Sequence, residues 1–275
     1  VLYYSAIFPF QKYAVNMLQC NLDFVKPEEG SFWASNLVAV VQYIVMLVVA
    51  ATAFASNFVK KRQVQFSLLA VSIILLLVFC YMAYQRQSAE SIFAVFPLLA
   101  VGITPILGKY VDNKGKAASM LMLGSTLLIV CHLTFAFILP EFKGNNIGGV
   151  IVAFLTILVL GASFSLVPAA LWPSVPKLVD SKIIGSAYAL IFLIQNIGLW
   201  LFPLLIGKIL DWSNPEIAQA VADGTMTSTE ASSYDYTNPL IMLAMLGVAA
   251  LILGFVLKSV DKKRGYGLEL PNIQS

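Results

Sequence analysis

The sequence predicts an all-α fold, a polytopic membrane helix bundle of eight spans. Three observations lead there. Hydrophobic residues make up 59% of the chain and charged residues 11%, where soluble domains carry about 25% charged residues. The mean hydropathy is +0.85. Apolar runs long enough to cross a bilayer, roughly 20 residues each, recur along the chain, and the loops between them alternate in charge. Such spans must be helical, because hydrocarbon offers no partner to a free backbone group.

The first span, about 1–20, is the most polar, with Tyr3, Tyr4, Gln11, Lys12, Tyr13 and Asn16. Pro9 removes a backbone donor, which predicts a break in this helix. The chain opens inside an apolar run without methionine, so we read it as a piece of a longer protein. Spans two and three, about 33–58 and 64–84, are apolar throughout and joined by Lys60, Lys61 and Arg62. Span four, about 91–108, holds Pro97, Gly102 and Pro105 and runs into the charged stretch Gly108–Lys116. That stretch reads as a hairpin in which Gly108 and Gly115 supply positive φ. Span five, about 117–139, carries the single histidine, His132. It is read either as a proton-coupling group or as a packed core histidine. Span six, about 147–172, ends in Pro168, Trp172, Pro173 and Pro176, which predicts a kinked end. Span seven, about 183–209, carries Tyr188, Gln195 and Asn196, with Gly185, Gly198 and Gly207 as points of close helix approach. Span eight, about 239–260, ends in Lys258, Lys262, Lys263 and Arg264.

The charges orient these spans. Lys60–Arg62, Lys109–Lys116, Lys177 with Lys182, and the terminal cluster follow the even-numbered spans. By the positive-inside rule both termini are cytoplasmic. The odd loops are acidic: Glu28 and Glu29 beside Lys26, and Asp211, Glu216, Asp223, Glu230 and Asp235 in 211–238, which has no lysine or arginine. The latter loop is expected to lie outside and to be partly helical or mobile. Cys20, Cys80 and Cys131 share no metal-ligand spacing and read as small apolar packing residues. No catalytic cluster and no phosphate-cradling loop stands out, so no cofactor, metal, catalytic residue or nucleic acid is expected, and the chain does not read as an enzyme.

Three stretches carry a family resemblance. One is Gly108-Lys109-Tyr110-Val111-Asp112-Asn113-Lys114-Gly115-Lys116. Another runs from Gly161 through Ser163 and Ser165 to Pro168, Trp172-Pro173 and Pro176. The third is Gly185-Ser186-Ala187-Tyr188, then Gln195-Asn196-Ile197-Gly198, Pro203, Gly207 and Asp211. With these the chain resembles the C-terminal half of a major facilitator superfamily transporter. It is most similar to the lysosomal dipeptide transporter branch and its bacterial relatives, whose seventh helix Phe8-Pro9-Phe10 also fits.

The resemblance implies that span one is helix seven of such a transporter and spans four to eight are helices eight to twelve. Residues 33–84 are then an inserted transmembrane hairpin and 211–238 an external loop. It implies alternating-access transport of a small organic solute, a dipeptide or organic anion, in a bilayer, expected to be a bacterial inner membrane. A missing N-terminal six-helix half is the implied partner, with protons as a further one. A solute site would draw on Tyr4, Gln11, Lys12, Trp172, Gln195 and Asn196. Gly108, Asp112, Gly115 and Lys116 would form a conformational latch. Asn113 stands where the family often has a basic residue, which weakens that latch. For Lys12 two readings stand, binding of a solute carboxylate or snorkelling to the external interface. An eight-helix membrane enzyme and a non-transporting scaffold subunit are the competing readings of the whole chain.

Overall fold

A computed structural model describes all residues except 26, 144–145, 228–232 and 273–275. Lys26, Ser228, Glu230 and Ser232 therefore lie outside the described residues. The described chain is helical: α1 Leu2–Leu22, α2 Asn36–Ser56, α3 Arg62–Gln85, a short α4 Ala89–Phe93, α5 Val95–Lys114, α6 Ala117–Leu133, α7 Asn146–Leu178, α8 Ile184–Ser213, a short α9 Pro215–Ala222, and α10 Thr237–Arg264.

Seven helical segments among the described residues are long and apolar enough to cross a membrane, from Asn36–Ser56 to Thr237–Arg264. α1 is not among them, although its 21 residues give it the length. The reason is composition: Gln11, Lys12, Asn16, Gln19 and Asn21 lower its hydropathy. α1 touches α4, α7, α8 and α10, and its polar side chains face protein and a groove instead of hydrocarbon. Ile7, Phe10, Ala14, Met17 and Leu18 enter the core with Leu128 of α6, Phe135 just beyond its end, Ile157 and Leu160 of α7, and Leu243 of α10.

Pro9 does not break α1, which runs unbroken from Leu2 to Leu22. Proline removes only one bond, to the carbonyl four residues earlier, and packing on several sides holds the rest. The same holds for α7, which continues through Pro168, Pro173 and Pro176 to Leu178. Pro176 cannot donate to the Trp172 carbonyl, and the Tyr188 hydroxyl donates to it instead (3.0 Å). α6 widens into a π turn, Thr134–Ile138, and tightens into a 3-10 turn, Leu139–Phe142. There the Thr237 hydroxyl donates to the Ala136 carbonyl (3.4 Å), which Pro140 cannot serve.

α2 and α3 pack on each other as a hairpin at the edge of the bundle. The Ser72 hydroxyl donates to the Val49 carbonyl across them (3.1 Å), and Arg86 donates to the carbonyls of Trp33 and Ser35. α2 meets α5 where Gly102 faces Ala53. Most of this hairpin's apolar surface points outward, including Leu47, Phe66, Ile73, Ile74 and Leu77, as expected of helices solvated by lipid.

One buried polar chain ties three helices together. Ser163 on α7 donates to the Gly124 carbonyl on α6 (2.7 Å). With that proton committed, the Tyr3 hydroxyl on α1 donates to Ser163 Oγ (2.7 Å). Ser163→Ala would strand the buried Tyr3 hydroxyl and is expected to cost about 1–3 kcal/mol. Adding Tyr3→Phe should recover most of that loss, as thermal denaturation of the detergent-purified double variant would reveal.

Candidate functional site

α1 and α8 run side by side. Ser5 lies against Gly198 near one end of their contact, and the Tyr13 hydroxyl donates to the Pro203 carbonyl further along (3.0 Å). Between these points the helices leave a groove of about 490 Å³, lined by Phe8, Pro9, Gln11, Lys12, Gln195 and Leu199. That volume suits a small organic molecule. The groove sits at mid-helix: Lys12 is the central residue of α1, Leu2–Leu22, and residues 195–199 straddle the middle of α8, Ile184–Ser213.

Its polar groups are complementary in type. The exposed Lys12 ammonium and the Gln11 amide supply donors. The Gln195 Oε1 atom is buried and accepts no hydrogen bond. Pro203 has no N–H to give to the Leu199 carbonyl, so this groove residue lacks its usual helical donor. A cation and an amide donor on one helix thus share the groove with an unpartnered acceptor, Gln195 Oε1, on the other, and Phe8 and Leu199 add apolar lining. An ionisable residue at mid-helix in so apolar a bundle is expensive to hold, which makes Lys12 a candidate functional group. A second cavity, about 300 Å³ between α2, α3 and α5, is lined by apolar side chains and by Ser72, whose hydroxyl is already bonded. It offers nothing to orient a polar solute.

Of the six residues expected to bind solute, the fold gathers Gln11, Lys12 and Gln195 in this groove. Tyr4 and Trp172 are brought together beside it. Tyr4 stacks on Phe8 (5.4 Å between centroids) and on Trp172 (6.3 Å), and Trp172 stacks on Phe192 (5.2 Å). This aromatic column joins α1, α7 and α8. Asn196 is left out: it is exposed, is not among the groove residues, and donates back to the Phe192 carbonyl (2.8 Å). Neighbouring residues on a helix point about 100° apart, and here that turns Asn196 outward while Gln195 lines the groove. His132 is fully buried against the Phe10 ring, donating from Nδ1 to the Leu128 carbonyl (2.9 Å).

The charged stretch also differs from a loop hairpin. Gly108 through Lys114 complete α5, and the turn is only Gly115 and Lys116. Of the two glycines only Gly115 has positive φ, at 73°, and Lys116 follows at 64°. Gly108 is helical. The Asp112 carboxylate accepts from the Asn272 side-chain amide (2.8 Å), and the Asp112 carbonyl accepts from the Asn272 N–H (3.0 Å). Of the three glycines of α8 read as packing points, Gly198 alone is tightly enclosed: nothing lies within 4 Å of a Cβ at Gly185, and one at Gly207 would meet only the Tyr13 hydroxyl, at 3.6 Å.

Sequence reasoning missed the aromatic partners Phe8 and Phe192 and the chain after α10. The aromatic pairs carry a signal, since Tyr4 and Phe8, and Tyr188 and Phe192, are each four apart and so share a helix face. Residues 265–272 carry none beyond their two glycines and a proline.

Comparison with known proteins adds sequence relatives. The chain is 30% identical over 128 residues to the lysosomal dipeptide transporter MFSD1 of Mus musculus, which is 46% of this chain and 25% of that protein. The Homo sapiens protein is 29% identical over 128 residues, again 46% of this chain and 25% of the relative. The Danio rerio protein is 30% identical over 123 residues, 45% and 24% of the two lengths. The match thus spans about a quarter of the length of these curated relatives. No family model matches the chain. No solved structure matches it. By sequence, the chain is similar over a little under half of its own length to the lysosomal dipeptide transporters.

Proposed function

We propose that this chain is the C-terminal half of a secondary transporter that moves a small organic solute, a dipeptide or organic anion, by alternating access. The observation that carries the reading is the mid-helix groove in which Lys12 and Gln11 face the unpartnered acceptor of Gln195. A solute carboxylate would pair with Lys12 and accept from Gln11. An N–H of the same solute would donate to Gln195 Oε1 and to the Leu199 carbonyl. Tyr4 and Trp172 would back the groove as a rigid aromatic wall.

In this reading the open side of the groove faces a second, N-terminal six-helix half, and the two rock about the site. The exposed apolar face of α8, with Leu193, Ile197, Trp200 and Leu204, would meet that half or lipid. In this reading both termini are cytoplasmic, the side that the basic loops favour, and the membrane is a bacterial inner membrane. α2 and α3 would be an inserted hairpin outside the transport bundle, and 211–238, with α9, an external loop. Protons are a candidate driving ion. The chemistry is binding and movement, with no bond made or broken.

Lys12→Gln tests this directly. Losing one charge-assisted hydrogen bond of about 1.5–3 kcal/mol should lower dipeptide uptake efficiency by the full-length protein in proteoliposomes tenfold or more, with partial retention in Lys12→Arg. Unchanged uptake in Lys12→Gln would remove Lys12 from the site.

A further inference from the structure

The segment after α10 folds back on the bundle and makes specific contacts that no helix requires of it. Gly265, at φ 70°, ends α10 and donates to the Asp261 carbonyl (2.8 Å), the usual left-handed stop. Gly267, at φ 75°, turns the chain again, and the Leu268 N–H donates to the Asp261 carboxylate (3.0 Å). Leu268 is fully buried. The chain then crosses the start of α6. The Leu268 and Glu269 carbonyls accept from the N–H groups of Ala117 (3.0 Å) and Lys116 (3.2 Å). The Glu269 carboxylate accepts from the Ser119 N–H (2.9 Å) and hydroxyl (2.7 Å).

Three of the donors that every helix start leaves free are thus supplied with acceptors by one short segment. A carboxylate is also favoured there by the helix dipole. Lys177, at the end of α7, donates to the carbonyls of Gly267 and Leu270 (2.9 Å each). Lys258 on α10 donates to Ser119 Oγ (2.7 Å) and lies 3.6 Å from the Glu269 carboxylate. The last described contact is Asn272 on Asp112 of α5. The segment therefore joins the ends of α5, α6, α7 and α10.

Two details show that the turn is shaped to this segment. A Cβ on Gly115 would overlap the backbone of Glu269 and Leu270. Lys116 holds a left-handed conformation that costs a non-glycine residue about 1–2 kcal/mol. Such a conformation persists only where its surroundings over-determine it, and here the carbonyls of Leu268 and Glu269 do so.

We propose that residues 265–272 are a strap that fixes the α5–α6 turn, and that Asn272 competes with any other partner for Asp112. A transporter whose α5–α6 turn must move or engage a second half has to release this strap first. The strap follows from the contacts above; its effect on conformational switching rests on the transport reading.

The test uses the full-length protein in nanodiscs and in sealed vesicles. Asn272→Ala and Glu269→Gln should speed hydrogen exchange of the peptide spanning 115–121 at least tenfold. They should also change the rate at which a cysteine placed at Leu199 is labelled by an impermeant maleimide from the face bearing the basic loops, by threefold or more. In an Asp112→Asn background, Asn272→Ala should add little to either readout. Unchanged exchange would overturn the strap. Faster exchange with unchanged labelling would reduce it to a helix cap and overturn the competition for Asp112. Should the unmodified groove be labelled from one face only, the transport reading fails, and the exchange result still decides the strap.

Discussion

Gly198→Ala is expected to abolish most solute uptake while leaving a folded but less stable protein. A Cβ at Gly198 would overlap the Ser5 hydroxyl and come within 3.0 Å of Ser5 Cβ. Ser5 is 1% exposed, so it has no open space to turn into. Its Cβ can retreat only if α1 moves. Overpacking of this kind costs about 1–3 kcal/mol. The functional cost is larger, because α1 and α8 are the two walls of the groove, and parting them displaces Lys12 from Gln195. Ser5→Gly in the same chain should restore both melting temperature and uptake, since it removes the atoms that collide. If Gly198→Ala transports normally, the contact between α1 and α8 does not set the groove.

Gly115→Ala should be the most damaging single change at the α5–α6 turn. Alanine at φ 73° and ψ −133° would sit in a sparsely populated backbone region that costs about 1–3 kcal/mol, and its methyl would meet backbone, which cannot rotate away. The strap must lift, and with it go the contacts to Lys116, Ala117 and Ser119. Gly108→Ala provides the contrast. Gly108 is helical and nothing lies within 4 Å of where its Cβ would stand, so alanine there should be neutral or slightly stabilising. Thermal denaturation of the two variants side by side measures the difference, and equal melting points would contradict this account of the turn.

The helices were legible in the sequence because a bilayer imposes one demand, long apolar runs with satisfied backbones. Boundaries were less so. Gly108 looked like a turn residue because of its charged neighbours, yet the helix continues to Lys114. Only the crossing of residues 269–270 explains why Gly115, and not Gly108, must be glycine. Proline was misleading at Pro9, where tertiary packing holds the helix without the lost bond.

The site was legible in part for a related reason. Lys12 and Gln195 stand out as polar groups in apolar runs, and that property survives in the folded groove. The choice between Gln195 and Asn196 depends on helix rotation, which an almost uniformly apolar α8 does not encode. The pairing of Asp112 with Asn272, 160 residues away, has no local trace at all.

The most direct measurement is labelling of a cysteine at Leu199, in the groove wall, in the full-length protein in sealed vesicles. An impermeant maleimide would be applied to each face in turn, with and without a dipeptide. If the groove between α1 and α8 is the solute path, the cysteine reacts from both faces and the dipeptide slows both reactions. Labelling from one face alone, or no slowing by any dipeptide or organic anion, would contradict the account.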